Sequence, residues 1–276
     1  MAYDKEKWKK DKKEQVKSLK DSLKKLSNEL ITDTDKLKKL AESWSNQLYS
    51  YSAQNLFTAN FQLIANKGRM VSALGSYKRW KDEERYVNKG EKALHILAPI
   101  FTKIKDKNGE EEKVISFFKT VPVFDISQTN GKACKYVSET NKLISETEFK
   151  FEDLKANCKC EVKLESLSYG GHTDGESITV NIDHTNEGKI ANMFHELAHL
   201  ESHYTKEGKE LDRRTKELEA EAVSYLLCEL IGIENKKSAV YINSWKGGAK
   251  ELEKSGQRVL KTADKIAKYV FKGILN

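Results

Sequence analysis

A chain of 276 residues with 38% hydrophobic side chains is long enough to bury one or two cores. Its 49 Lys+Arg against 42 Asp+Glu leave a net charge of +7, which excludes a strongly acidic protein. No run approaches the ~18 apolar residues of a membrane helix, and Met1-Ala2-Tyr3-Asp4-Lys5 leads into charge rather than a signal-peptide hydrophobic region. No membrane partner and a cytoplasmic location are the expectations.

The charge is unevenly divided. Residues 1–131 carry 26 Lys+Arg and 18 Asp+Glu, a net of +8, whereas residues 132–276 carry 23 and 24, a net of −1. A basic module that meets a polyanion, joined to a near-neutral module with another task, fits this split, although lysine enrichment also serves solubility. Cys134, Cys158, Cys160 and Cys228 are too few and too irregular for a disulfide scaffold.

Residues 3–50 read as helix, with Leu19, Leu23, Leu26 and Leu30 at helical spacing. Thr32-Asp33-Thr34-Asp35 breaks the run and caps a second helix carrying Leu37, Leu40, Ala41, Trp44 and Leu48. The apolar run Leu56–Ile64 is helical and ends at Asn66-Lys67-Gly68. Beyond it, aromatic and basic residues interleave: Arg69, Tyr77, Lys78, Arg79, Trp80, Arg85, Lys89 and Lys92. Stacking rings with phosphate-neutralising cations are the composition of a single-stranded nucleic-acid surface. Trp80 and Tyr77 fit the core of a small domain equally well.

Ala93–Ile100 reads as a strand ended by Pro99. Asn108-Gly109 reads as a hairpin turn, and Val114–Phe118 and Val121–Asp125 as strands, with Asn130-Gly131 as a further turn. Phe149-x-Phe151-x-x-Leu154 predicts a short helix, Gly170–Gly175 a flexible turn and Ser177–Ile182 a strand whose edge could pair with an extended substrate. The chain ends in a helical stripe of Val259, Leu260, Ala263, Ile266, Ala267 and Val270.

The chemistry concentrates in Met193-Phe194-His195-Glu196-Leu197-Ala198-His199-Leu200. On a helix, His195 and His199 share a face and both imidazoles can reach one metal ion, with Glu196 beside them to act on a water. His203 continues that face, but a further helical turn carries it beyond the ion, so it is expected to pack or hydrogen-bond at the rim. His172 and His184 read as exposed loop residues. Two histidines leave a metal needing a third ligand, and Glu217 and Glu221 share one face of a second apolar helix, with Glu219 pointing elsewhere. Spacing alone does not choose between Glu217 and Glu221. Carboxylates on a buried helix require partners, since an unpaired buried charge is costly.

Residues 49–131 resemble the N-terminal domain of ArdC-type antirestriction proteins. The resemblance rests on Tyr51-Ser52-x-x-Asn55, on Gly75 to Trp80 with Tyr77 between them, on Val87-x-Lys89-Gly90-Glu91-Lys92, on Ile96-x-Ala98-Pro99 and on Val123–Thr129. Ala93 stands where a glycine is usual, and Asp82-Glu83-Glu84 adds negative charge near the supposed DNA face. That family domain binds single-stranded DNA, which implies contacts from Tyr51, Asn55, Arg69, Tyr77, Lys78, Arg79, Trp80, Arg85, Lys89 and Lys92.

Residues 190–272 resemble the gluzincin-like peptidase domain of the same proteins, found also in repressor-cleaving and radiation-response regulators of bacteria. The match is His195-Glu196-x-x-His199, Glu217-x-x-Ala220-Glu221, Tyr225-Leu226-x-Cys228-x-x-x-Gly232-Ile233 and Tyr241-Ile242-x-x-Trp245. The resemblance implies Zn²⁺ held by His195, His199 and Glu217, Glu196 as catalytic base, and Glu221 orienting a histidine.

The expected fold is therefore α+β in two domains: a small helix-plus-antiparallel-sheet DNA-binding domain and a mainly helical, zincin-like metallopeptidase domain with a small sheet. Their bounds are 1–131 and 150–276, with 132–149 as linker. The function implied is a zinc metallopeptidase-like protein that binds single-stranded DNA, acts on a protein substrate and belongs to a bacterial plasmid or phage with an antirestriction or DNA-protecting role. The alternatives are a DNA-binding antirestriction factor with a non-catalytic metal site and a proteolytic regulator that cleaves a repressor.

Overall fold

The structure, a computed structural model, describes residues 14, 17, 28–45, 50–105, 111–133, 148–245 and 254–274. Most of the leucine-spaced run before residue 28, the Asn108-Gly109 turn, most of the proposed linker and Lys246-Gly247-Gly248 lie outside the described residues. The fold mixes helices with small sheets, as α+β patterning predicts, and divides into two compact units. One comprises residues 1–23 and 58–132, the other residues 24–57 and 133–276. Residues 24–57 thus pack with the second unit. Helix α1 (Thr34–Ser45) buries Leu37, Leu40, Ala41 and Trp44 at helical spacing, and that stripe packs within the second unit. Asp33 accepts from the Lys36 amide at its start, as the capping pattern predicts.

Helix α2 (Ala53–Lys67) ends at Gly68, whose φ of 65° is the left-handed conformation that closes a helix. In the first unit, β1 (Leu74–Gly75), α3 (Tyr77–Asp82), β2 (Arg85–Val87), β3 (Leu94–Lys105), β4 (Glu111–Asp125) and β5 (Thr129–Gly131) follow. They form an antiparallel sheet in the order β1-β4-β3 and a ribbon β2-β5. Two expectations are corrected here. Pro99 does not end its strand: β3 is an edge strand, where a missing N–H costs no ladder bond, and it runs on to Lys105 with a bulge at Ile100/Phe101. Asn130-Gly131 is not a turn but part of β5, paired with Tyr86 and Arg85.

Asp125 joins the sheet to the ribbon. It is buried, accepts from the Ser72, Ala73 and Ser127 amides, and starts a 3₁₀ turn over Ile126–Gln128. The Gln128 side chain completes the reciprocal cap by accepting from the Asp125 amide.

The second unit continues with α4 (Phe151–Ala156), β6 (Val162–Glu165), β7 (Gly171–Thr173), β8 (Ile178–Asn181), α5 (Asn186–Ala198), α6 (Lys206–Lys209), α7 (Arg213–Leu230), α8 (Lys236–Ser244) and α9 (Ser255–Val270). Helix α7 is its axis and packs against α1, α5, α8 and α9. Burial on all sides explains why α7 carries Leu218, Ala222, Val223, Leu226, Leu227 and Leu230 without a clean stripe. The sheet order is β6-β8-β7, with β6 and β8 parallel and β7 antiparallel. Gly170–Gly175 therefore includes a strand rather than being wholly a turn, and the edge strands are β6 and β7, because β8 is paired on both sides. Helix α5 packs on β7 and β8, which sets the motif helix beside the β7 edge.

Candidate metal centre

Helix α5 begins at Thr185, whose hydroxyl accepts from the Gly188 amide, and buries Ile190, Met193, Phe194 and Leu197. That anchoring turns His195 and His199 toward α7. Their Nε2 atoms are 3.1 Å apart, and Glu217 Oε2 lies 3.5 Å from the first and 3.7 Å from the second. A tetrahedral ion with bonds of about 2.0–2.1 Å separates its ligands by roughly 3.3–3.4 Å. The three measured separations bracket that value, so the donor set fits a divalent metal ion. Among the described residues this is the one group of three or more ionisable side chains with ligand atoms converging in this way.

The electrostatics are those of a strongly coupled site. Burial by itself lowers the His195 pKa, but the Glu217 and Glu221 carboxylates outweigh it and raise the imidazole to about 9. Hydrogen bonding to His195 and His199 holds Glu217 well below the ordinary carboxylate range. Burial pushes Glu196 up, opposed by the two histidines. Glu221 lies 3.5 Å from His195 Nδ1, at the limit of hydrogen-bond reach, and accepts from the Ser238 hydroxyl. Burial alone would raise Glu221; His195 and Ser238 keep it ionised and low.

These groups open on a cavity of about 720 Å³ whose lining includes His195, Glu196, His199, Glu217, His172 and Tyr204. The edge strand β7 forms one wall. Gly171 is required there: a Cβ would stand 2.5 Å from Thr179 O and 3.2 Å from Glu196 Cγ. His172 is an exposed residue at the mouth, with Nδ1 3.2 Å from the Tyr169 hydroxyl. The Tyr204 hydroxyl donates to Thr173 O at 2.9 Å, and Tyr225 does not line the cavity. His184 faces Asn192 at 2.7 Å.

Two residues that spacing set aside are drawn in. His203 is buried, with Nδ1 2.9 Å from His199 Nδ1 and Nε2 3.2 Å from Glu219 Oε2. Glu219 is 2% exposed and takes a two-pronged ion pair from Arg258 of α9. The i, i+4 repeat of His195, His199 and His203 was the available signal for His203; nothing local pointed to Arg258.

The residues expected to touch DNA differ in exposure. Of the two readings of Trp80 the structure takes the core one: it is 2% exposed, and its indole N–H donates to Phe124 O at 3.0 Å. Arg85 donates to the Thr129 hydroxyl and to the carbonyls of Thr129, Gly131 and Lys132, clamping the ribbon β2-β5. Tyr51 and Asn55 are half-buried and fall in the second unit. Arg69, Lys78, Lys89 and Lys92 are exposed, Tyr77 is 59% exposed, and Arg79 is half-buried. The large exposed apolar residues of this unit include Phe101, Ile115, Phe117 and Phe118 on β3 and β4, which the sequence reading did not single out. No described helix is long and apolar enough to cross a membrane.

Comparison with known proteins finds two matching domains. Residues 9–124 match the N-terminal domain of anti-restriction factor ArdC, and residues 158–229 match the IrrE N-terminal-like domain. An uncharacterized protein of Bacillus anthracis is 25% identical over 98% of this chain, and the chain spans about half, 54%, of that relative. Two crystal structures of the antirestriction ArdC protein from plasmid R388 are similar. The Mn(II)-bound one is 19% identical, with a TM-score of 0.50 over 86% of this chain and 96% of that one. The metal-free one is 21% identical, with a TM-score of 0.48 over 80% and 86%. The chain thus carries an ArdC-like N-terminal domain followed by an IrrE-like domain, which together support an ArdC-type protein.

Proposed function

We propose that the second unit hydrolyses peptide bonds with a divalent metal ion held by His195, His199 and Glu217, and that the first unit brings the protein to single-stranded DNA in an antirestriction or DNA-protecting role. The observation that carries the hydrolytic reading is the convergence of those three donors beside a buried Glu196 at an open cavity. Zinc is the expected ion, because two imidazoles and a carboxylate with room for water are its hydrolytic ligand set. Mn(II), named for the plasmid R388 relative, is expected to bind the same donors more weakly.

When bound, the ion supplies Lewis acidity toward a water and a carbonyl oxygen. The chain does the rest. Glu196, desolvated and with a raised pKa, accepts the proton of the attacking water and delivers it to the amine that leaves as the C–N bond breaks. His172 is placed at the mouth to donate to the carbonyl oxygen, since the Tyr204 hydroxyl is already engaged by Thr173. The free edge of β7 supports an extended substrate by backbone pairing. Lys209, Arg213, Lys216 and Lys237 also line the cavity, which favours an acidic polypeptide segment.

The test is Glu196→Gln. It should bind metal as the parent does, retain a protein substrate that the parent cleaves, and hydrolyse it at least roughly 100-fold more slowly. Undiminished cleavage by a metal-loaded Gln variant would remove the general-base role.

A further inference from the structure

Between α5 and α6 the backbone leaves α-helical geometry and forms a π-helical turn over His199–His203. Such single turns are frequent at functional sites. Here the turn keeps three imidazoles in one edge-to-face stack, with centroids 4.8 Å apart for His195 and His199 and 4.9 Å for His199 and His203. Gly208 lets α6 lie against this turn, since any side chain there would collide with the Ser202 carbonyl and the His203 backbone.

Hydrogen-bond direction along the stack is determined by chemistry. His199 presents Nε2 to His195 and Glu217, so in a neutral ligand imidazole the proton sits on Nδ1. That N–H can only donate to His203 Nδ1, 2.9 Å away. With Nδ1 accepting, His203 carries its proton on Nε2 and donates it to Glu219 Oε2 at 3.2 Å. Glu219 is buried, and its charge is matched by Arg258, whose Nε lies 3.1 and 3.0 Å from the two carboxylate oxygens and whose Nη2 lies 2.6 Å from Oε1. Ser255 fixes the guanidinium in turn, accepting from Nη2 at 3.1 Å. Every proton position in the relay follows from the one before it.

We propose that His203, Glu219 and Arg258 are positioning residues that lock His199 in its Nδ1–H tautomer with Nε2 aimed at the metal. Glu221 approaches His195 Nδ1 at 3.5 Å, so the two ligand imidazoles face different carboxylates of α7, His195 facing Glu221 and His199 facing Glu219 through His203. A carboxylate behind a ligand histidine is a general device for raising ligand basicity and fixing its ring. In this chain a second histidine is inserted between carboxylate and ligand, and α9 closes the relay. The inference rests on the metal-site reading above and adds three residues that are not ligands to the ion.

The test uses the full chain with Co²⁺ as the probe, competed against a chromophoric chelator and followed by the visible absorption of the bound ion. His203→Phe keeps a flat ring but removes both nitrogens, and should weaken Co²⁺ binding roughly 10–100-fold and alter its ligand-field bands. His203→Gln, whose amide oxygen can accept from His199 Nδ1–H, should recover most of the loss. If the Phe variant does not fold, the pair Glu219→Gln with Arg258→Met leaves no buried charge unpaired and no longer imposes the His203 tautomer. It should weaken binding about tenfold. Parental affinity and spectrum in either folded variant would overturn the relay. Parental protein that takes up Co²⁺ yet cleaves no peptide would sink the hydrolytic reading and leave the relay standing. Parental protein that takes up none would sink both.

Discussion

Along one helix of the second unit Glu219 and Glu221 are buried and Glu217 is half-buried, and each faces a histidine. In the first unit the cations expected to do the binding, Arg69, Lys78, Lys89 and Lys92, stand at the surface. A desolvated charge tolerates little error, because the loss of one partner leaves the other buried and unpaired, at a cost of several kcal/mol. A solvated charge is weakly held and its contributions are small, additive and sensitive to salt. Substitutions in the two regions should therefore fail differently, abruptly in one and gradually in the other.

Trp80 is the sharpest way to strain that contrast, because it belongs to the surface unit by sequence position and to the core by structure. Trp80→Ala should destabilise the protein by about 3–5 kcal/mol through lost burial and the cavity left behind. Tyr77→Ala, three residues earlier and 59% exposed, should change stability by no more than about 0.5 kcal/mol. Chemical denaturation followed by tryptophan-independent circular dichroism separates them. Comparable losses from the two would show that Tyr77 is structural and that the unit has no free aromatic at this corner.

The buried site gives a second prediction, in pH. In metal-free protein, burial opposes the charge on His195, but Glu217 and Glu221 raise its pKa from 6.5 to about 9. The stabilisation from this raised pKa is fully present below pH 6.5 and is lost as pH rises toward 9. Glu217 and Glu221 contribute with the opposite sign, present above pH 4.5 and lost in acid. A metal must displace the His195 proton, so its binding strengthens as that proton leaves. Zn²⁺ at about 100 times its Kd should stabilise the fold by about 2.7 kcal/mol. At one fixed metal concentration, the gain in Tm over a chelated sample should grow from pH 6.5 to 9. A gain independent of pH, or one that survives in His199→Ala, would place the ion elsewhere.

Much of the buried site was legible because it is local. His195, Glu196 and His199 lie within one helical turn, and Glu217 and Glu221 within another, so periodicity sets each group on one face. The choice of Glu217 as nearest to both imidazoles depends on how α5 crosses α7, which no short-range pattern encodes. The relay was illegible for the same reason. Glu219 points away from the ligand face, and the groups that make its burial tolerable arrive by a π-helical turn and from Arg258, 39 residues further on. Gly170–Gly175 read as a turn because glycine signals freedom; at Gly171 it instead permits close approach of a strand to Glu196. Trp80 was ambiguous, since an aromatic among cations looks alike whether its ring stacks on a base or packs under a sheet.

The smallest expected effects belong to the exposed lysines, and there Arg85 serves as the internal control. Lys89→Ala removes an exposed, solvated cation, so stability should stay within about 0.5 kcal/mol. If Lys89 neutralises a phosphate of single-stranded DNA, the slope of log K against log salt should fall by about 0.7. Lys78→Ala and Lys92→Ala should do the same, and the losses should add. Arg85→Ala should behave otherwise, because its guanidinium is committed to Thr129, Gly131 and Lys132 and holds β2 against β5. It should cost stability and leave the salt slope unchanged. Oligonucleotide binding across a salt series, with thermal melts of the same samples, reads both quantities at once. A salt slope that moves with Arg85 but not with the lysines would relocate the nucleic-acid surface to the ribbon and erase the distinction between the two units.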